Sequence, residues 1–147
     1  MNPTIEKFGY PASLVREYHH WVVLVRPSQV TLGSLVLAAK SDVRAYGELP
    51  SEAFIEQGRI IAELEAALSA FCAFERINYL MLMMVDPHVH FHVIPRYSQA
   101  RRWNDVEFAD AGWPGPPQLA EARALDRPEM EQLAAEIMVN LRQCKLL

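Results

Sequence analysis

The sequence predicts an α+β fold in which an antiparallel sheet is covered by amphipathic helices. Two pairs of apolar, β-branched segments are each joined by a short link, and short links connect antiparallel neighbours. Two longer segments repeat apolar residues at the spacing of a helix with one buried face. The length of 147 residues is typical of one domain with one core, so we predict a single domain over residues 1–147.

The first pair of strands is predicted at residues 18–25 and 31–39. The first segment is rich in aromatic and β-branched residues, and the Arg26-Pro27-Ser28 sequence ends it. In the second segment Gly33 indicates a bend or a close approach of the backbone. The short link predicts that these strands are antiparallel neighbours.

Helical patterns follow this pair and also end the chain. Residues 41–49 predict a short helix, and a longer one begins at Pro50. The apolar residues of the longer helix that recur at helical spacing are Phe54, Ile61, Leu64, Leu68 and Phe71. Residues 98–126 are rich in proline and glycine and predict an ordered loop or lid. Residues 127–147 predict a C-terminal amphipathic helix.

The second pair of strands contains the chemically reactive part of the chain. Residues 78–85 predict one strand, and Asp86 and Pro87 predict a turn into the next. Because successive side chains of a strand point to opposite faces, His88, His90 and His92 should share one face. The hairpin would therefore present three imidazoles side by side.

Three adjacent imidazoles favour a small number of chemistries. Imidazole titrates near neutral pH, so it serves as nucleophile, acid, base or metal ligand. Like charges repel, so at least one of the three should be neutral, and a neutral ring nitrogen is a competent nucleophile toward phosphorus. A zinc site is an alternative, because three histidines form a known catalytic set. No carboxylate or thiolate pair obviously completes such a site, so we predict no metal.

The segment His88-Val-His-Phe-His-Val-Ile94 resembles the motif of the histidine triad family, and every position agrees. The resemblance implies an α+β domain, a homodimer and a small-molecule nucleotide substrate, with no cofactor. It implies hydrolysis or transfer of a nucleotide from a phosphoanhydride or phosphoramidate. His90 would attack the α-phosphorus and form a nucleotidyl-histidine, while His88 and His92 would orient it and contact the phosphate. A nucleotide-binding protein with little catalysis and a metal-dependent hydrolase are alternatives.

The sequence departs from the family pattern at positions around the motif. Many family members have Gly-His on the second strand, where this chain has Gly33 and Ser34. An asparagine or aspartate that contacts ribose usually ends the first strand, and Arg26 occupies that position. Arg96 directly follows the motif. We therefore predict a divergent member, with Ser34, Arg26 and Arg96 as its substrate-binding residues.

Composition restricts partners and compartment. A formal net charge of -4 provides no broad basic surface, so no nucleic acid partner is expected. No apolar run approaches the roughly 18 residues of a membrane span, and residues 1–10 contain no apolar core of a secretory signal. The two cysteines, Cys72 and Cys144, fit no disulfide or metal spacing. These features predict a cytoplasmic protein with no membrane partner.

Overall fold

The structure is a computed structural model, which describes the backbone of residues 1–145 and the side chains of residues 1–142. Regular elements occur along the whole described chain. In chain order they are α1 (Pro3–Lys7), β1 (Leu14–Glu17), β2 (Trp21–Val25), β3 (Ser28–Gln29), β4 (Leu35–Ala39), a 3₁₀ turn (Tyr46–Glu48), α2 (Ser51–Cys72), β5 (Arg76–Leu80), β6 (His90–Arg96), β7 (Arg101–Trp103), β8 (Val106–Phe108), β9 (Arg123–Ala124) and α3 (Arg127–Lys145).

A five-stranded sheet in the order β1-β2-β4-β6-β5 forms the centre of the fold. Every neighbouring pair in it is antiparallel, which confirms the predicted α+β fold class. Strand β6 lies between β4 and β5, with Val36 opposite His92 and Ala38 opposite His90. The strand that carries the histidines is therefore an interior strand of the sheet.

The two faces of the sheet have different covers. Helices α2 and α3 pack on one face around a core that includes Leu64, Leu68, Leu133 and Ile137, all fully buried. The apolar cluster on the other face is smaller, and there Ile5 of α1 packs against apolar side chains of β2 and β4. Burial on both faces explains why β2 reads as an unbroken apolar run.

The first strand pair is antiparallel as predicted, but both strands are shorter than the predicted segments. Strand β2 begins at Trp21, and Tyr18 lies in the connection from β1, a strand that the sequence reasoning did not identify. Strand β4 begins only at Leu35, because Gly33 has a φ of 96° and turns the backbone before it. The predicted bend at the glycine is thus a turn outside the strand.

The second strand pair is antiparallel as predicted, but the prediction that a turn at Asp86 and Pro87 joins the two strands is wrong. Strand β5 ends at Leu80 and β6 begins at His90, so residues 81–89 form an extended loop. Three of its apolar side chains project into solvent, with exposed fractions of 50% for Leu82, 87% for Met84 and 80% for Val85. The apolar composition that predicts a strand here therefore does not correspond to burial.

The helical predictions agree with the structure except at the first. The predicted helix at residues 41–49 is only the 3₁₀ turn, because residues 44–48 are exposed and have no buried face to stabilise a helix. In α2, Leu64 and Leu68 are buried as predicted, but 37% of Phe54 is exposed. In α3 the structure describes residues 127–145, and the last two residues of the predicted helix lie outside the described range.

The Pro/Gly-rich segment 98–126 contains three short strands and is tied to the sheet region at two places. Strands β7 and β8 pair with each other, and β9 pairs with β3, next to Arg26. Cys72 is buried at the end of α2, and the side chain of Cys144 lies outside the described side chains. Within residues 1–145, no helix combines the length and apolarity that crossing a membrane requires.

Candidate functional site

The three histidines lie where α1 covers the sheet. His90 opens β6 and His92 follows two residues later, and their ring centroids are 5.2 Å apart. This proximity agrees with their predicted position on one face. His88 precedes β6 and packs against α1, the helix that also lies beside the other two histidines. All three side chains are buried.

His88 is held by a residue from the start of the chain. Its Nδ1 is 2.9 Å from the hydroxyl of Thr4, and both side chains are buried. Helix α1 is fixed in turn by Asn2, whose side-chain oxygen accepts a hydrogen bond from the Ile5 amide and whose nitrogen donates to the Ala39 carbonyl. The N-terminal helix therefore positions one member of the triad.

His90 has a defined proton on one ring nitrogen. Its Nδ1 is 2.7 Å from the carbonyl oxygen of His88, and a carbonyl only accepts hydrogen bonds, so Nδ1 carries hydrogen. In the neutral ring the lone pair is then on Nε2. Among the described side chains Nε2 has no hydrogen-bond partner, yet no buried side-chain nitrogen or oxygen is left unpaired. Nε2 is therefore not fully enclosed, and His90 lines the cavity described below.

His92 has the opposite arrangement. The Nε of Arg26 donates to its Nδ1 at 3.2 Å, so this nitrogen carries the lone pair and the hydrogen is on Nε2. Burial, the Arg26 charge and the proximity of His90 lower the pKa of His92 to about 4, against an opposing contribution from Asp86. At neutral pH His92 is thus a neutral hydrogen-bond donor beside the open nitrogen of His90.

A cavity of about 350 Å³ opens onto His90 and His92. Its other lining residues come from α1, the end of β2, the 81–89 loop and the Pro/Gly-rich segment, and are Lys7, Phe8, Arg26, Leu82, Met83, Met84, Val85, Asp86 and Leu119. The Phe8 ring lies 5.4 Å from the His90 ring and 5.7 Å from the His92 ring, centroid to centroid. Lys7 and Asp86 form an ion pair at 2.9 Å between α1 and the loop. The cavity is of a size that small ligands occupy.

Solved structures of histidine triad proteins match this chain over nearly its whole length. A histidine triad protein from Sinorhizobium meliloti has a TM-score of 0.71 and 22% sequence identity, with 95% of both chains covered. One from Bradyrhizobium japonicum has a TM-score of 0.71 and 18% identity, with 97% of this chain and 95% of that chain covered. The chain has the histidine triad fold.

A similar structure of named activity is diadenosine triphosphate hydrolase from Plasmodium falciparum. Its TM-score is 0.64 at 14% identity, and the match covers 90% of this chain and 78% of that chain. No protein-family model matches the sequence, and no curated protein matches it. The predicted resemblance is confirmed for the fold, and the low identities agree with a divergent sequence.

Of the predicted substrate-binding residues, only Arg26 lies at the histidine triad cavity. Ser34 is fully buried in the turn before β4, where its hydroxyl donates to the Thr31 carbonyl at 2.8 Å and accepts from the Thr31 amide at 3.1 Å. Gln29 binds the Ser34 carbonyl and amide as well. The structure thus uses Ser34 to close a turn and does not present its hydroxyl to the cavity.

Arg96 lies at the far end of β6, six residues from His90 or roughly 20 Å along a strand. Its side chain is 5% exposed, and its guanidinium forms a bidentate ion pair with Asp110, at 2.7 and 3.0 Å. It also donates to the Asn78 side chain and to the Gly115 carbonyl. Arg96 therefore anchors the Pro/Gly-rich segment to the sheet, and the structure does not bring it to the triad.

The three histidines do not converge on one point. The Nδ1 atoms of His88, His90 and His92 each already have a partner on the protein. Among the described side chains, no group of three histidine, cysteine or carboxylate side chains is arranged to hold a metal ion. The geometry therefore gives no support to the metal-dependent alternative.

Sequence reasoning missed the contribution of α1. Thr4, Lys7 and Phe8 each contact the triad or line its cavity. Asn2 followed by Pro3 is a recognisable helix start, so the existence of α1 was predictable. Its contact with His88 spans 84 residues of sequence, and a local pattern carries no signal of such a contact.

Proposed function

We propose that this protein is a nucleotidyl hydrolase or transferase that acts on a nucleoside phosphoanhydride or phosphoramidate. The proposal depends chiefly on the opposite proton placement of two neighbouring rings. His90 offers an unpaired Nε2 with a lone pair at the cavity, and His92 offers an Nε2–H group. A nucleophile beside a donor to a phosphoryl oxygen is the arrangement that phosphoryl transfer requires. No cofactor takes part in the proposed reaction.

The reaction would proceed in two displacements. Nε2 of His90 attacks the α-phosphorus, a phosphorus–nitrogen bond forms, and the bond to the leaving group breaks with its electron pair. The His90 ring then carries a positive charge, which the Nδ1–H bond to the His88 carbonyl stabilises. Water or another acceptor next attacks the phosphorus, loses its proton to solvent and releases the nucleotide from His90.

His92 and Arg26 would stabilise the phosphoryl oxygens during both displacements. The neutral His92 donates through Nε2 and adds no charge that repels the cationic His90 intermediate. The Arg26 guanidinium lines the same cavity and remains charged. The diadenosine triphosphate hydrolase of similar fold agrees with a nucleoside phosphoanhydride as substrate.

The test is incubation with labelled dinucleoside polyphosphates and adenosine phosphoramidates. We expect turnover and an acid-labile adduct on the peptide that contains His90, with His90→Ala slower by at least about 10³-fold. His19→Ala is the matched control, because His19 is exposed and outside the cavity. A rate unchanged by His90→Ala would refute the proposal, and nucleotide binding without turnover would favour the binding-protein alternative.

The same resemblance leads us to propose a homodimer. Light scattering during size-exclusion chromatography measures the mass directly. A mass near twice the 16.7 kDa of one chain is expected, and a monomeric mass at micromolar concentration would refute it.

A further inference from the structure

The Arg26 guanidinium is bound on one side only. Its Nε donates to His92 and its Nη1 to the Ser28 carbonyl. Within residues 1–142, no carboxylate forms an ion pair with Arg26, and its Nη2 has no hydrogen-bond partner. A half-buried cation without a counter-charge is unfavourable in the absence of a ligand, because burial removes part of its hydration. The free edge of the guanidinium is therefore suited to an external anion.

A second, smaller cavity lies against this group. Its volume is about 200 Å³, and its lining consists of Lys7, Phe8, Arg26, Pro27 and Ser28. Two of these side chains are cations and none is a carboxylate. Lys7, Phe8 and Arg26 also line the triad cavity, so the two spaces adjoin.

The size of the second cavity restricts its occupant. Ligand pockets for drug-sized molecules begin at about 300 Å³, so 200 Å³ is small for a second nucleoside. It equals about six or seven water volumes, at roughly 30 Å³ each, which is ample for one phosphate group. Its lining offers the Arg26 fork and the Lys7 ammonium to such a group.

We propose that the smaller cavity binds a second phosphoryl group of the substrate, held by Arg26 and Lys7, while the reacting phosphorus lies beside His90. This inference rests on the proposed function, since it assigns the substrate of the same site. The substrate class is a nucleotide with a phosphate in addition to the reacting one. That phosphate is either on the ribose or further along the polyphosphate chain.

Lys7 would contribute less than Arg26. Its side chain is 55% exposed and already pairs with Asp86 at 2.9 Å, so solvent screens its charge and the ion pair shares it. Arg26 is more buried and has an unused edge, so it should provide most of the selectivity.

The experiment measures binding in the absence of chemistry. His90→Ala protein is titrated calorimetrically at fixed ionic strength with AMP, ADP and adenosine 3′,5′-bisphosphate. At least one two-phosphate ligand should bind about 10- to 100-fold more tightly than AMP, as expected for a charge-assisted contact. A gain with ADP alone indicates a chain phosphate, and a gain with the bisphosphate alone indicates a ribose phosphate.

Two further substitutions in the His90→Ala background test the assigned residues. Arg26→Gln should abolish most of the gain, and Lys7→Gln should reduce it about threefold. Arg127→Gln is the control for net charge, because Arg127 is 72% exposed at the start of α3. Lys7→Gln alters an exposed side chain and therefore provides the test if Arg26→Gln does not fold.

Several results would overturn the inference. Equal binding of AMP and both two-phosphate ligands excludes the second subsite, and so does a gain that persists undiminished in the Arg26 and Lys7 variants. If a His90 adduct forms in the unsubstituted protein nonetheless, the proposed function stands and only the subsite is lost. Failure of every nucleotide to bind would overturn both.

Discussion

His92 should remain neutral until the solution becomes strongly acidic. The perturbation is acidification from pH 7 to pH 4, followed through the ring nitrogens of His92 by NMR. Burial displaces its pKa first, the Arg26 charge second and His90 third, to about 4 from an ordinary value of 6.5. We expect the Nδ1 signal of His92 at pH 6 to be that of an unprotonated nitrogen that accepts a hydrogen bond from Arg26.

The lowered pKa of His92 makes the stability of the protein depend on pH. At about 1.4 kcal/mol per pKa unit, a change from 6.5 to about 4 corresponds to roughly 3 kcal/mol of unfolding free energy. A depressed histidine pKa means that the unfolded chain binds more protons between these values. The contribution is therefore complete above pH 6.5 and is lost as the pH falls toward 4.

Denaturant unfolding at several pH values measures this contribution. The unsubstituted protein should lose roughly 3 kcal/mol more than His92→Gln does between pH 6.5 and pH 4. Comparison with this variant cancels the other histidines and the carboxylates. A His92 midpoint at or above 6.5, or identical pH slopes in the two proteins, would refute the proton placement at the triad. In Arg26→Gln the pKa of His92 should rise, because one of the lowering charges is removed.

Two substitutions test the contacts that surround the site. Thr4→Val removes the hydroxyl that contacts His88 Nδ1, so it should lower the unfolding free energy by about 1–3 kcal/mol and the rate of adduct formation by roughly tenfold. Thr4→Ser should restore both. Equal behaviour of the valine and serine variants would contradict the role of the hydroxyl. Asp110→Ala leaves Arg96 buried without its partner and should destabilise the protein by about 3–5 kcal/mol. The Kd for AMP at 25 °C should stay unchanged. Weaker AMP binding by the folded variant would indicate that Arg96 contributes to the substrate site after all.

The sequence predicts the placement of His90 and His92 because strand alternation is a local property. Two residues apart on a strand means one face, whatever the rest of the fold does. His88 precedes β6, but the Ala39 amide still donates to the Val89 carbonyl, so pairing with β4 continues before His90. His88 also contacts Thr4 of α1, the helix beside the other two histidines. The sequence does not reveal that this segment leaves β5, because the extent of a strand depends on what its neighbours offer for pairing.

Ser34 and Arg96 show the limit of assigning substrate-binding residues from their positions in the sequence. Ser34 aligns with the family's histidine on the second strand and Arg96 directly follows the motif, which is why both are predicted to bind substrate. In the structure both make polar contacts that hold turns and loops. Ser34 has its hydroxyl occupied by Thr31, and Arg96 has its guanidinium occupied by Asp110. A polar side chain that is buried must find partners, and those partners come from distant parts of the chain. The three-dimensional structure distinguishes such a residue from one with a free donor.

Arg26 does have a free donor, and its presence changes the chemistry expected of the triad. An asparagine or aspartate at that position would not bring a full positive charge to His92. Arginine contributes a donor to Nδ1, which selects the tautomer of His92, and a charge, which adds to burial in lowering the pKa of the ring. His90 receives the complementary proton placement from the His88 carbonyl. The two rings therefore differ in role because of their hydrogen-bond partners. Arg26, just after β2, is the partner that determines the role of His92.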